Sequence, residues 1–202
     1  MGFTLNCIVE TILVTMNSSR ELNAAPMGIK RIDEDLLEVA PFLSSRSYIN
    51  LREHLKATIN ITQSPLLFFE TAFKDEVSNQ PKINEEMIIE YADATILVDV
   101  LDEPNMTDLR AYFTLKPKNI RILRKLPAVF SRGKYASIEA VIHATRVKAF
   151  ISEGMLDKAE QKEEEFKASA ETVRRVSSED SEEAQVIDHL KKLIKQWKVK
   201  QS

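Results

Sequence analysis

The sequence predicts a mainly β fold, a barrel domain over residues 1–130, followed by a C-terminal three-helix segment over 131–202. Three observations predict it. Short apolar or alternating runs, separated by polar turns, recur between Ile8 and Arg124, as in a small barrel. The composition changes at Ser131, after which apolar residues recur at helical spacing among long charged runs. Between them, Leu22-Asn23-Ala24-Ala25-Pro26-Met27-Gly28-Ile29 is a strand stripped of bulk, where a backbone or a flat ligand can lie close.

Composition narrows the function classes. The chain is 44% hydrophobic and 29% charged, ordinary for a globular protein. A net charge of -3 gives no bulk reason for a nucleic-acid or membrane partner. The single Cys7 rules out an intrachain disulfide and fits a reducing compartment; its apolar setting predicts a buried structural thiol. Met1 to Asn6 has no cationic region ahead of an apolar one, and no apolar run reaches about eighteen residues. A cytoplasmic protein without a membrane span is expected.

Taken in order, Ile8–Met16 is the first strand, apolar except at Glu10, Thr11 and Thr15. Cover on both faces is expected, with a second subunit as the economical source of the outer cover. The turn Asn17–Glu21 leads to the small-residue strand, and Lys30–Asp35 reverses the chain. Leu36–Leu43 reads as a strand, with Pro41 marking an edge. Ser44–Leu51 clusters hydroxyls, Arg46 and Asn50, and no acidic residue falls between Glu38 and Glu53. That set suits a phosphomonoester; it equally suits a polar loop with a helix cap at Ser47 or Asn50. A short helix from Leu51 to Leu55 precedes the strand Ala57–Thr62, whose alternation sends Ile59 and Ile61 to the core and Thr58, Asn60 and Thr62 to the other face. His54 is expected at the surface. Ser64-Pro65 opens a helix whose Leu66, Leu67, Phe68, Phe69 and Phe73 are expected to pack on the barrel. Residues 83–91 do not decide between strand and helix. Ala94–Leu101, Leu109–Pro117 and Lys118–Arg124 complete the strands, with Ile120 and Ile122 turned in and Arg121 out. The tail helices run through Ile138–Arg146, Met155–Val176, and a third opened by Asp180 and Glu183, with the stripe Ile187, Leu190, Ile194, Trp197.

Three pieces carry a resemblance: the opening hairpin with Asn23-Ala24-Ala25-Pro26-Met27-Gly28, the run Arg46-Ser47 to Asn50-Leu51, and Arg132 followed by Ile138-Glu139-Ala140 and His143-Ala144-Thr145-Arg146. Together they resemble the flavin-reductase-like split barrels, and within them an archaeal family of uncharacterised proteins, domain of unknown function 447. The resemblance implies a homodimeric, FMN-binding split barrel with a helical tail. It implies that the backbone from Asn23 to Gly28 meets the flavin ring. Arg46, Ser47 and Asn50 would hold the phosphate, with Ser47 where the family carries Thr. Asn60 and Thr62 would reach the sugar alcohol.

No residue stands out as a proton donor. Glu139 and His143 lie one turn apart and can hydrogen-bond, yet two groups without a third are not a metal site. The leading expectation is a flavin-dependent oxidoreductase acting on a small partner. The alternatives are a flavin carrier or sensor without turnover, a structural dimer with a vestigial site, and a nucleic-acid module using the acid-free basic segment Lys116–Lys134. The last lacks the interleaved aromatics that base stacking requires, Phe130 apart.

Overall fold

The computed structural model describes Phe3, Leu5, Asn6, and residues 8–101, 103–124 and 131–199. Cys7, Lys125 and Phe130 lie outside them, and with them the expectation of a buried thiol. The chain forms two compact units: residues 1–62 with 79–126, and residues 63–78 with 127–202.

The first unit is a closed antiparallel barrel. Strands β1 (Ile8–Met16), β2 (Leu22–Arg31), β3 (Leu37–Val39), β4 (Lys56–Ile61), β5 (Ala94–Val100), β6 (Asn105–Met106) and β7 (Ala111–Ile122) lie in the order β3-β2-β1-β4-β5-β7-β6. Pairing of β3 with β7 closes six of them, with Val39 opposite Phe113. Leu13, Ile29, Leu37, Ile59, Ile96, Val98, Phe113 and Leu115 fill the interior, as alternation requires. Helix α1 (Arg46–His54) adds Leu51 to that core. The β1–β2 turn is held on α1: the Ser18 amide donates to Glu53 at 3.0 Å, and His54 Nε2 donates to the Asn17 carbonyl at 2.6 Å. His54 is therefore a half-buried clamp, not a free surface residue.

Several local expectations are corrected. Residues 46–54 form one helix capped by Ser45, whose Oγ accepts from the Tyr48 amide at 3.2 Å; Ser47 and Asn50 lie inside it. The two last strands are one, β7, running through Pro117 with a bulge that leaves Lys118 unmatched between Pro117 and Asn119. Ile120 and Ile122 are exposed, as is the whole stretch 118–122 beyond the bulge. Residues 83–91 are neither strand nor helix but a loop closed by an Ile83–Ile89 bridge. Thr11 to Thr15 are buried on both faces within a single chain, so the apolar strand does not by itself call for a second subunit.

The second unit gathers α2 (Pro65–Ala72), α3 (Arg132–Ser152), α4 (Leu156–Val176) and α5 (Glu182–Val199). Ser64 caps α2, and Glu182 accepts from both Ser64 Oγ at 2.6 Å and the Leu66 amide at 3.2 Å. The Phe69 ring stacks on His189 and Phe73 meets Trp197, each at 5.6 Å between centroids. Both rings thus pack on α5. The cap of α5 comes from Ser181, whose Oγ accepts from the Ala184 amide, and its expected stripe is buried. Gly154, at φ +72°, ends α3 in the left-handed region. His143 of α3 stands nearer to Glu165 of α4, 3.1 Å from Nδ1, than to Glu139, 3.9 Å from Nε2. Burial lowers its pKa below the ordinary value against the pull of both carboxylates. That is a helix-packing role.

Candidate functional site

The small-residue strand has one open edge. β2 pairs with β1 from Leu22 to Lys30, but with β3 only at Ile29, Lys30 and Arg31. No strand among the described residues covers the outer edge from Leu22 to Gly28. Pro26 suits such an edge, since it has no N–H to leave unpaired. Asn23 and Ala24 are buried; Ala25, Pro26, Met27 and Gly28 are half-buried. The close approach expected at Gly28 is made from within: a Cβ there would stand 2.8 Å from the Ile8 Cγ2 methyl.

Helix α1 is fastened beside this strand by buried polar groups. Ser47, Asn50 and Leu51 share one face at helical spacing and are buried; Arg46 points away and is exposed. Asn23 Nδ2 donates to Ser47 Oγ at 3.1 Å. Asn50 Nδ2 donates to Thr15 Oγ1 at 3.0 Å, and Thr15 Oγ1 donates to the Asn23 carbonyl at 3.4 Å. The circuit joins the end of β1, the start of β2 and the first two turns of α1. Sequence reasoning missed Thr15; its signal was a hydroxyl at the end of an apolar strand, here fully buried. Thr11 makes the companion bond to the Met27 carbonyl, at 3.0 Å.

The circuit assigns work within the site. The Ser47 and Asn50 side chains are engaged inside the protein, at 1% and 5% exposure. Arg46 has no side-chain hydrogen bond or ion pair among the described residues. Helical geometry leaves the Arg46 and Ser47 amides without intrahelical partners, and the first turn carries no acidic residue. The α1 N-terminus is thus a place where an anion is favoured, next to the open edge of β2.

Asn60 lies elsewhere. Its Nδ2 donates to the Thr58 and Met87 carbonyls at 3.3 and 3.2 Å, and its Oδ1 accepts from the Ile89 amide at 3.0 Å. Thr58 Oγ1 donates to the Glu86 carbonyl at 3.3 Å. Asn60 is fully buried, and its carboxamide pins the 82–92 loop on β4. Thr62, also buried, follows the end of that strand.

From Lys116 to Arg124 the cations of the basic segment are paired. Lys116 pairs with Asp35, Lys118 with Asp99 at 3.3 Å, Arg121 with Glu86, and Arg124 with Asp93 at 3.7 Å. The Arg121 guanidinium holds the Glu86 carboxyl below its usual pKa. A row of cations each facing a carboxylate is a poor track for a phosphate backbone.

These features define a class: a closed six-stranded antiparallel barrel with one strand edge open beside a helix N-terminus, carried with a set of C-terminal helices. The chain belongs to the DUF447 family. Residues 9–124 match the family described as "Protein of unknown function (DUF447) N-terminal domain". Its fold is similar to that of an FMN-bound DUF447 protein from Methanosarcina mazei, with 24% identity, a TM-score of 0.73 and 97% of each chain covered. It is also similar to flavoredoxin from Methanosarcina acetivorans (11% identity, TM-score 0.51, 63% of this chain and 75% of that one). The styrene monooxygenase flavin reductase of Pseudomonas putida S12 gives 10% identity and a TM-score of 0.51 over 58% of this chain and 81% of that one. No described helix is long and apolar enough to cross a membrane, and no described group of His, Cys, Asp and Glu can hold a metal ion.

Proposed function

We propose that this chain binds FMN on its barrel and is a flavin-dependent oxidoreductase acting on a small partner. The observation that carries the reading is the juxtaposition of an open main-chain edge, Leu22 to Gly28, with an acid-free helix N-terminus whose guanidinium is unpaired among the described residues. The Methanosarcina mazei protein of the same family, described as FMN-bound, supports it. The residues fit the cofactor. Main-chain N–H and C=O groups between Asn23 and Gly28 would face the polar edge of the ring, with Ala24 and Ala25 adding no bulk. The Arg46 guanidinium and the Arg46 and Ser47 amides would receive the phosphate. The Ser47, Asn50 and Thr15 side chains would hold those two groups at a fixed separation. When bound, the flavin supplies the electron-transfer chemistry; the protein supplies position and charge. No side chain of the site is assigned a proton.

We further place the flavin function in residues 1–130, with 131–202 as an appendage, and take the working form to be a cytoplasmic homodimer. The exposed Ile120, Ile122 and Leu123 are apolar cover available for a second copy. The test is a visible spectrum of the freshly purified protein and a titration of the apoprotein with FMN and with riboflavin. A flavin spectrum with FMN preferred over riboflavin is the expected result. No binding of either overturns the reading. NADH and NADPH oxidation in the presence of FMN then separates an enzyme from a carrier, and sedimentation reports the oligomer.

A further inference from the structure

We propose that the groove between α4 and α5 is a docking site for an acidic amphipathic helix of a partner protein. Helix α3 packs along α4 and also carries α5, while α4 and α5 touch each other little. The hairpin they form stays open as a groove of about 680 Å³. Its α4 wall runs from Glu163 to Arg174, about 16 Å or three turns at 1.5 Å per residue. On both helices the lining residues recur at i, i+3, i+4 and i+7, so each wall is one helical face. Phe166, Ala170 and Ile194 form the floor.

Charge decides the occupant. Lys167 and Arg174 stand on one wall and Lys191, Lys195 and Lys198 on the other, against Glu163 and Glu171. Glu163 is already engaged by Lys198 and by Lys167, while Lys167 also pairs with Glu164 at 2.7 Å and Lys191 with Asp188 at 3.8 Å. Arg174 and Lys195, on opposite walls, have no carboxylate partner among the described residues. The groove is therefore cationic in a chain whose net charge is -3. An apolar floor flanked by the open charges of Arg174 on one wall and Lys195 on the other is matched by an apolar helical stripe flanked by carboxylates. A polyanion lacking that stripe would leave the floor uncovered.

The test uses the full chain and three fluorescent probes: a three-turn peptide with leucines at helical spacing and glutamates beside them, the same peptide with lysines for glutamates, and heparin. The acidic peptide is expected to bind, more weakly as salt rises. The Arg174→Glu, Lys195→Glu double variant should weaken it about tenfold or more, with unchanged far-UV circular dichroism. The lysine peptide should not bind. Equal binding of both peptides overturns the proposal, as does binding of heparin at least as tight as that of the acidic peptide. So does sedimentation in which the unliganded chain self-associates and the double variant does not, which assigns the groove to a second copy.

Discussion

The Asn23 carboxamide donates to the Ser47 hydroxyl at 3.1 Å, joining the small-residue strand to the first turn of α1. This bond fixes how far the open edge of β2 stands from the only exposed charge of that turn, Arg46. Ser47→Ala removes this buried hydrogen bond, which contributes about 0.5–1.5 kcal/mol. Urea unfolding should show that loss, and FMN affinity should fall with it because the two halves of the site lose their common strut. Stability and affinity both unchanged would show that the bond supports neither.

Arg46 should behave in the opposite way. It is exposed and unpaired among the described residues, so Arg46→Ala should leave the unfolding midpoint where it is. A charge-assisted contact to phosphate is worth about 1.5–3 kcal/mol, or roughly ten- to a hundredfold in affinity. FMN should lose that much and riboflavin, without the phosphate, should lose nothing. Parallel loss for both flavins would place the phosphate elsewhere.

Asn60→Ala should destabilise the barrel by about 2–4 kcal/mol, since two carbonyls and one amide lose buried partners at once. The damage should concentrate in the 82–92 loop, read as faster amide exchange at Met87 and Ile89. FMN affinity measured well below the unfolding midpoint should change little, which separates a loop clamp from a flavin ligand.

Glu70 gives the pH dependence. Burial, with Glu182 adding to it, raises its pKa above the ordinary carboxyl value. The folded state therefore holds the proton more tightly than the unfolded one. Its contribution to stability is complete below the ordinary value, near 4.5, and is lost as pH rises through the raised one. Glu70→Gln should raise the melting temperature at pH 7, by roughly 1–3 °C, and leave it unchanged at pH 4. A rise of the same size at both pH values would show an effect other than titration.

Much of the fold is legible in the chain itself. Alternation in Ala57–Ile61 fixes which residues enter the barrel, because a strand repeats every two residues. Ser64-Pro65 marks the start of α2 and Gly154 the end of α3, because caps are local chemistry. The small-residue strand and the acid-free run after Glu38 are also plain from residue types alone, and both enter the candidate site. What those signals leave open is the partner. Phe69 and Phe73 are plainly buried types, yet apolar burial has no direction, and α5 takes them. Alternation puts Asn60 on the outer face without naming the loop, 27 residues on, that its carboxamide would hold. The unmatched residue at Lys118 and the exposure of Ile120 and Ile122 beyond it are not written in the alternation.

By itself, then, the sequence determined most of the elements, the buried faces of Ala57–Ile61 and α5, and the residue types beside the open edge, since propensity, periodicity and capping act within a few residues. The tertiary structure alone decided that Thr15, Asn23, Ser47 and Asn50 form one buried circuit and that Arg46 is left facing outward. Hydrogen bonds between side chains up to 35 positions apart exist only once the β1–β2 hairpin and α1 have packed together.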